Sequence, residues 1–111
     1  MAIYADIFID QGATYITEIV IADVVRGNIS LDGATVYGQI RKYYGASMAV
    51  DFLCEIIDTE AGIVRLTLTS DQTRVMRAGR YVYDIFIEDA DDKTTRVLEG
   101  QVDVTPAVSQ P

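Results

Sequence analysis

Along most of this chain apolar and polar side chains alternate with a period of two. The clearest run is Tyr81-Val82-Tyr83-Asp84-Ile85-Phe86-Ile87-Glu88, with Tyr81, Tyr83, Ile85 and Ile87 on one face. Successive side chains of a strand point to opposite sides, so this run predicts a half-buried strand. Val64, Leu66 and Leu68 alternate in the same way with Arg65, Thr67 and Thr69. Met48, Val50, Phe52, Cys54 and Ile56 form a third inward stripe, opposed by Asp51 and Glu55. Glycine turns separate the runs: Gln11-Gly12, Arg26-Gly27-Asn28, Asp32-Gly33, Tyr44-Gly45, Ala61-Gly62 and Ala78-Gly79. The pattern predicts seven strands, at 3–9, 14–22, 35–43, 48–57, 62–69, 80–88 and 94–104. Short strands at this spacing predict an all-β antiparallel sandwich.

One segment breaks the period. Ser70-Asp71-Gln72-Thr73-Arg74-Val75-Met76-Arg77 reads as a helical crossover of one or two turns, capped by Ser70 or Asp71 and ended by Gly79. Pro106 stops the last strand because it cannot donate to a ladder. The expected organisation is a single β domain over 1–105 and a flexible tail over 106–111.

Composition narrows the chemistry. With no His and one Cys among 111 residues, neither a Ser-His-Asp triad, a Cys-His dyad nor a cysteine-rich zinc site is possible. No phosphate-binding or dinucleotide-binding glycine motif occurs. The 9 Lys and Arg stand against 17 Asp and Glu, a net charge of -8. Such a chain is a poor partner for nucleic acid or for an anionic membrane surface. The longest apolar run, Ile19-Val20-Ile21-Ala22, ends at Asp23, far short of a membrane span. No signal peptide is expected, and the lone Cys54 suits a reducing cytoplasm.

Three constellations hold candidate functions. Glu88-Asp89-Ala90-Asp91-Asp92 has oxygen ligands for calcium but lacks the spacing of a calcium loop, and aspartates also stabilise hairpin turns. Asp84 and Glu88 share a strand face about 13 Å apart, too far for a paired-carboxylate hydrolase. No metal, cofactor or catalytic residue is therefore assigned. Tyr37 and Tyr43 fall on the polar stripe of one strand, and Val82 and Phe86 on the outward stripe of another. Outward aromatics mark protein interfaces, although scattered surface apolars are also ordinary. Tyr37, Tyr43 and Tyr44 also offer a platform for a carbohydrate.

The run Met76-Arg77-Ala78-Gly79-Arg80-Tyr81-Val82-Tyr83 leads from a helical turn into Tyr-x-Tyr on a strand. Immunoglobulin-type sandwiches place a tyrosine corner there, its hydroxyl bonded to backbone a few residues upstream. Tyr81 fits that structural role, ligand binding being the alternative. Tyr83 then stands where antibody domains carry their second Cys.

Four blocks, in order along nearly the whole chain, resemble a family of small tailed-phage proteins. They are Phe8-Ile9-Asp10-Gln11-Gly12-Ala13-Thr14, Gly38-Gln39-Ile40-Arg41-Lys42, Ala78-Gly79-Arg80-Tyr81-Val82-Tyr83-Asp84 and Arg96-Val97-Leu98-Glu99-Gly100-Gln101-Val102-Asp103-Val104-Thr105-Pro106. The family comprises immunoglobulin-like β-sandwich virion proteins, similar to the N-terminal domains of baseplate upper proteins. The resemblance implies a non-enzymatic part of a phage particle, assembled in the host cytoplasm beside other phage structural proteins. A baseplate, tail, neck or capsid accessory position all fit, in multiple copies. It implies no catalytic residues and no cofactor. The alternative expectation is a small carbohydrate-binding or adhesion sandwich.

Overall fold

A computed structural model describes residues 3–21, 31 and 33–109. The expected turn at Arg26-Gly27-Asn28, residue 22 of the second predicted strand, Asp32 and the last two residues of the tail lie outside the described residues. The elements run β1 (Ile3–Tyr4), β2 (Ile7–Asp10), β3 (Tyr15–Val20), β4 (Thr35–Arg41), β5 (Ala49–Asp51), β6 (Leu53–Asp58), β7 (Ile63–Leu68), α1 (Ser70–Arg74), β8 (Gly79–Glu88) and β9 (Thr94–Thr105). The larger sheet has the order β1-β9-β8-β4-β5, with β2 also on β9, and the smaller sheet has the order β3-β7-β6. The protein is an all-β sandwich of two sheets, with one short helix among the described residues, placed before the Tyr81 strand. Its pairings are antiparallel except at the N-terminus, where β1 and β2 run parallel to β9.

The seven predicted strands become nine among the described residues because two of the runs break. The 48–57 run divides at Phe52. Before it, β5 pairs with β4 in the larger sheet; after it, β6 pairs with β7 in the smaller one. The Phe52 N–H donates to the Gly38 carbonyl (3.0 Å), and its buried ring meets the Tyr83 ring edge-on at 6.1 Å. Val50, Phe52, Cys54 and Ile56 all pack on the same core, so alternation stays in phase while the chain changes sheets. Met48 is the exception to its expected stripe: it lies before β5 and is 84% exposed.

The 3–9 run breaks at Ala5-Asp6. There the Ala5 N–H donates to the Glu99 carbonyl (2.8 Å), and Asp6 Oδ1 accepts from the Gln101 N–H (3.2 Å). Gly100 lies between these bonds. A Cβ on it would fall inside the Ala5 carbonyl, so the crossing of the N-terminal segment requires glycine.

The core is filled from both sheets. Ile9, Ile40, Ile85 and Val102 come from the larger and Val64, Leu66 and Leu68 from the smaller, all essentially sealed from solvent. Between β8 and β9 the register shifts after Ile85, and Val97 and Leu98 are both buried. An extra residue in one strand lets two consecutive side chains face inward, which plain alternation does not allow.

The helix has the expected length, between one and two turns, but is capped differently. Thr69, not Ser70 or Asp71, is the N-cap: its hydroxyl accepts from the Gln72 N–H, and the Gln72 side chain accepts from the Thr69 N–H. Val75 is the C-cap, and Gly79, at φ +137°, opens β8 instead of closing the helix. Thr is a slightly weaker cap than Ser, but at position 69 it gains the reciprocal bond with Gln72 three residues on. Inside the helix Thr73 is fully buried and donates to the Ala13 carbonyl (2.8 Å) while accepting from the Gly12 N–H (3.1 Å). Gln11 donates to the Met76 carbonyl and accepts from the Ala107 N–H. This hub joins the β2–β3 turn, the helix and the start of the tail, so the tail is anchored at Ala107.

Candidate functional site

The outward stripes of β4, β8 and β9 meet on the outer face of the larger sheet. Registry sets the rows: Tyr37 lies opposite Phe86 and Phe86 opposite Arg96; Gln39 opposite Asp84 and Asp84 opposite Glu99; Arg41 opposite Val82 and Val82 opposite Gln101. The Tyr37 and Phe86 rings stack at 5.6 Å between centroids and 6° between planes. The Arg96 guanidinium lies 5.3 Å over Phe86. Aromatic pairs and cation–aromatic contacts of this kind hold surface side chains in fixed positions.

Between β4 and β8 this face is indented by a groove of about 410 Å3. Tyr37 and Phe86 stand at one end and Tyr44-Gly45 at the other, with Gln39, Val82 and Asp84 between. Gly38 lies in the floor. A side chain there would overlap Ile85 and the Asp84 carbonyl, so β4 and β8 approach closely only with glycine at 38.

Polar groups in and beside the groove are unevenly satisfied. Gln39 donates to Asp51 Oδ1 (2.7 Å) and accepts from the Arg41 guanidinium (3.0 Å), which also donates to the Ala46 carbonyl. Asp84 has no hydrogen-bond donor among the described residues. Its nearest cation, Arg96, is 3.7 Å away and shared with Glu99 at 3.5 Å. Burial pushes the Asp84 carboxyl above the usual carboxylate range; Arg96 opposes this, Glu99 adds to it and Arg41 opposes it.

Three of the four outward residues singled out in the sequence, Tyr37, Val82 and Phe86, line this groove. Tyr43 does not: β4 ends at Arg41, so Tyr43 lies in the following bend, 63% exposed and outside the groove lining. Its neighbour Tyr44 takes that end instead. Asp84, Gln39 and Arg96 were not singled out as parts of a common site. Cross-strand registry brings them together, and the β8–β9 shift that sets Arg96 opposite Phe86 leaves no mark in alternation alone.

Tyr81 and Tyr83 point away from this face. The Tyr81 hydroxyl donates to the Arg77 carbonyl (2.7 Å), and the Lys42 ammonium sits 4.7 Å from its ring centre. The buried Tyr83 hydroxyl donates to the Ala5 carbonyl (2.6 Å), and burial raises its pKa. In the loop after β8, Asp89 Oδ1 accepts from the Asp91 and Lys93 N–H groups, each at 2.9 Å. That is an aspartate folding its own turn. Burial pushes the Cys54 thiol up to about 11, which keeps it protonated at neutral pH. Among the described residues no helix is long and apolar enough to cross a membrane.

No protein-family model and no curated protein matches this chain. Among solved structures it is similar to an internalin-like protein of Listeria monocytogenes, at 17% identity and a TM-score of 0.46, over 96% of this chain and 28% of that one. It is also similar to CopC from Methylosinus trichosporium OB3b, at 13% identity and a TM-score of 0.48, over 93% and 88% of the two chains. This chain thus spans less than a third of the internalin-like protein. Neither likeness is close enough to bear on function.

Proposed function

We propose that this protein is a non-enzymatic structural component of a tailed-phage particle, held among other phage structural proteins through its surface. The supporting observation is the outer face of the larger sheet, where the exposed Tyr37 stacks on the half-buried Phe86 beside a groove. Surface aromatics fixed by neighbours lose little entropy on docking, which is why they recur as interface anchors. The four sequence blocks that resemble virion proteins support the setting. No nucleic acid or membrane partner and no cofactor is proposed. The test is mass spectrometry of particles purified from infected cells. The chain is expected at a fixed copy number per particle; its absence from intact virions would overturn the reading.

A second reading, a carbohydrate-binding or adhesion module, is favoured by the same groove, where Tyr37 adjoins Gln39 and Asp84. Glycan-array binding lost in Tyr37→Ala would support it, and no glycan binding by the isolated protein would count against it.

A further inference from the structure

The groove between β4 and β8 carries an imbalance that the molecule does not correct by itself. Asp84 and Glu99 face each other across β8 and β9 and share one guanidinium, that of Arg96. Arg96 is further committed by its position over Phe86. The other groove cation, Arg41, is turned to the Ala46 carbonyl and Gln39. The Asp84 side chain keeps 33% of its exposure, enough to be reached from the groove. A partly desolvated carboxylate lacking a hydrogen-bond donor is stabilised most by an added cation that also donates.

The walls suit the rest of such a group. Val82 and the Tyr37, Phe86 and Tyr44 rings offer apolar surface above and beside Asp84. Arginine and lysine have long apolar stems that lie along such surface while the charged head reaches an acceptor. The net charge of -8 attracts a basic partner at long range. A sugar supplies hydroxyl donors but no charge, so it meets only half of what Asp84 lacks.

We propose that this groove receives an arginine or lysine side chain of a neighbouring protein, its charged head on Asp84 and its stem between the Tyr37–Phe86 stack and Tyr44. The inference rests on the docking role proposed above and names the chemistry of the partner at that face.

The probes are a hexa-arginine amide, a hexa-citrulline amide of nearly the same shape without charge, and maltohexaose. Each is titrated into the 15N-labelled protein while backbone amide signals are followed. Hexa-arginine is expected to shift the amides of residues 37–41 and 82–86 saturably, with citrulline inert. Asp84→Asn is expected to weaken the response about tenfold or more, the loss typical of removing one partner of a close charge pair. Tyr37→Leu, which keeps the charge and removes the wall, is expected to weaken it too and serves if Asp84→Asn fails to fold. Shifts spread over the whole acidic surface and unchanged in these variants would overturn the proposal. So would the absence of any shift, or saturation by maltohexaose without saturation by hexa-arginine. Finding the chain in purified particles while the groove ignores arginine sinks this inference alone; absence from particles sinks the docking role itself.

Discussion

Two tyrosines separated by one residue carry different loads. The Tyr81 hydroxyl bonds the Arg77 carbonyl near the surface, where water can replace it. The Tyr83 hydroxyl is buried and holds the Ala5 carbonyl. Tyr83→Phe leaves that carbonyl without its partner and should cost about 1–3 kcal/mol, whereas Tyr81→Phe should cost about 1 kcal/mol or less. Urea melts of both variants check this; a larger loss in Tyr81→Phe would refute the ordering. Tyr81 was legible because its acceptor lies four residues upstream. The partner of Tyr83 is 78 residues away, and nothing local announces it. Asp84 allows a second test at this scale. Its folded-state pKa lies above that of the unfolded chain, so ionisation costs the fold stability. The penalty is fully present above the folded pKa and disappears below the unfolded one, about 3.9. Asp84→Asn should therefore be at least as stable as the parent at pH 7, with its advantage shrinking as pH falls toward 4. An advantage that grows on acidification would show that burial is not what perturbs this carboxyl.

At the scale of elements, the alternation located every predicted strand that falls within the described residues but missed the points where strands divide. Phe52 and Ala5-Asp6 keep the inward stripe in phase, so period-two reading joins β5 to β6 and β1 to β2. What divides them is tertiary: a change of sheet in one case and a crossing over Gly100 in the other. The parallel pairing of β1 and β2 with β9 was equally invisible, because alternation does not encode strand direction. The groove shared this fate, since its residues were legible as outward-facing on each strand but their rows depend on registry. The Gly100 crossing can be tested directly. Gly100→Ala places a Cβ inside the Ala5 carbonyl and beside the Tyr83 ring, 3.1 Å from Cε1. The N-terminal segment should lift, taking with it the Ala5–Glu99 and Tyr83–Ala5 hydrogen bonds. Overpacking of this kind costs about 1–3 kcal/mol. Amide exchange should accelerate at Ala5 and Ile7 while β7 stays protected; unchanged protection at Ala5 would mean that the crossing tolerates a side chain.

At the scale of the molecule, the two outer faces differ in character. The larger sheet carries the groove and its fixed aromatics, while the smaller carries Ile16 and Leu53 on either side of Thr67. Ile16 and Leu53 are 59% and 56% exposed. Between these apolar positions and the exposed Val20 and Ile57 lies a charged row in which Arg65 pairs with Glu18 at 3.0 Å and stands opposite Glu55. Exposed apolar side chains on a flat sheet favour self-association, and a uniform charge opposes it. With a net charge of -8 the repulsion between copies prevails at neutral pH, so the isolated protein should sediment as a monomer at pH 7 in low salt. As pH falls toward the isoelectric point near 4.2 the carboxylates take up protons and the repulsion fades. Association should then appear. Ile16→Ser combined with Leu53→Ser should reduce it without altering the neutral-pH monomer, because the pair removes apolar surface and leaves the charge untouched. Sedimentation velocity across pH 4 to 7 reads both effects. A dimer at pH 7 that is indifferent to salt and to these substitutions would show that charge does not keep the copies apart and that this face is not the one through which they meet.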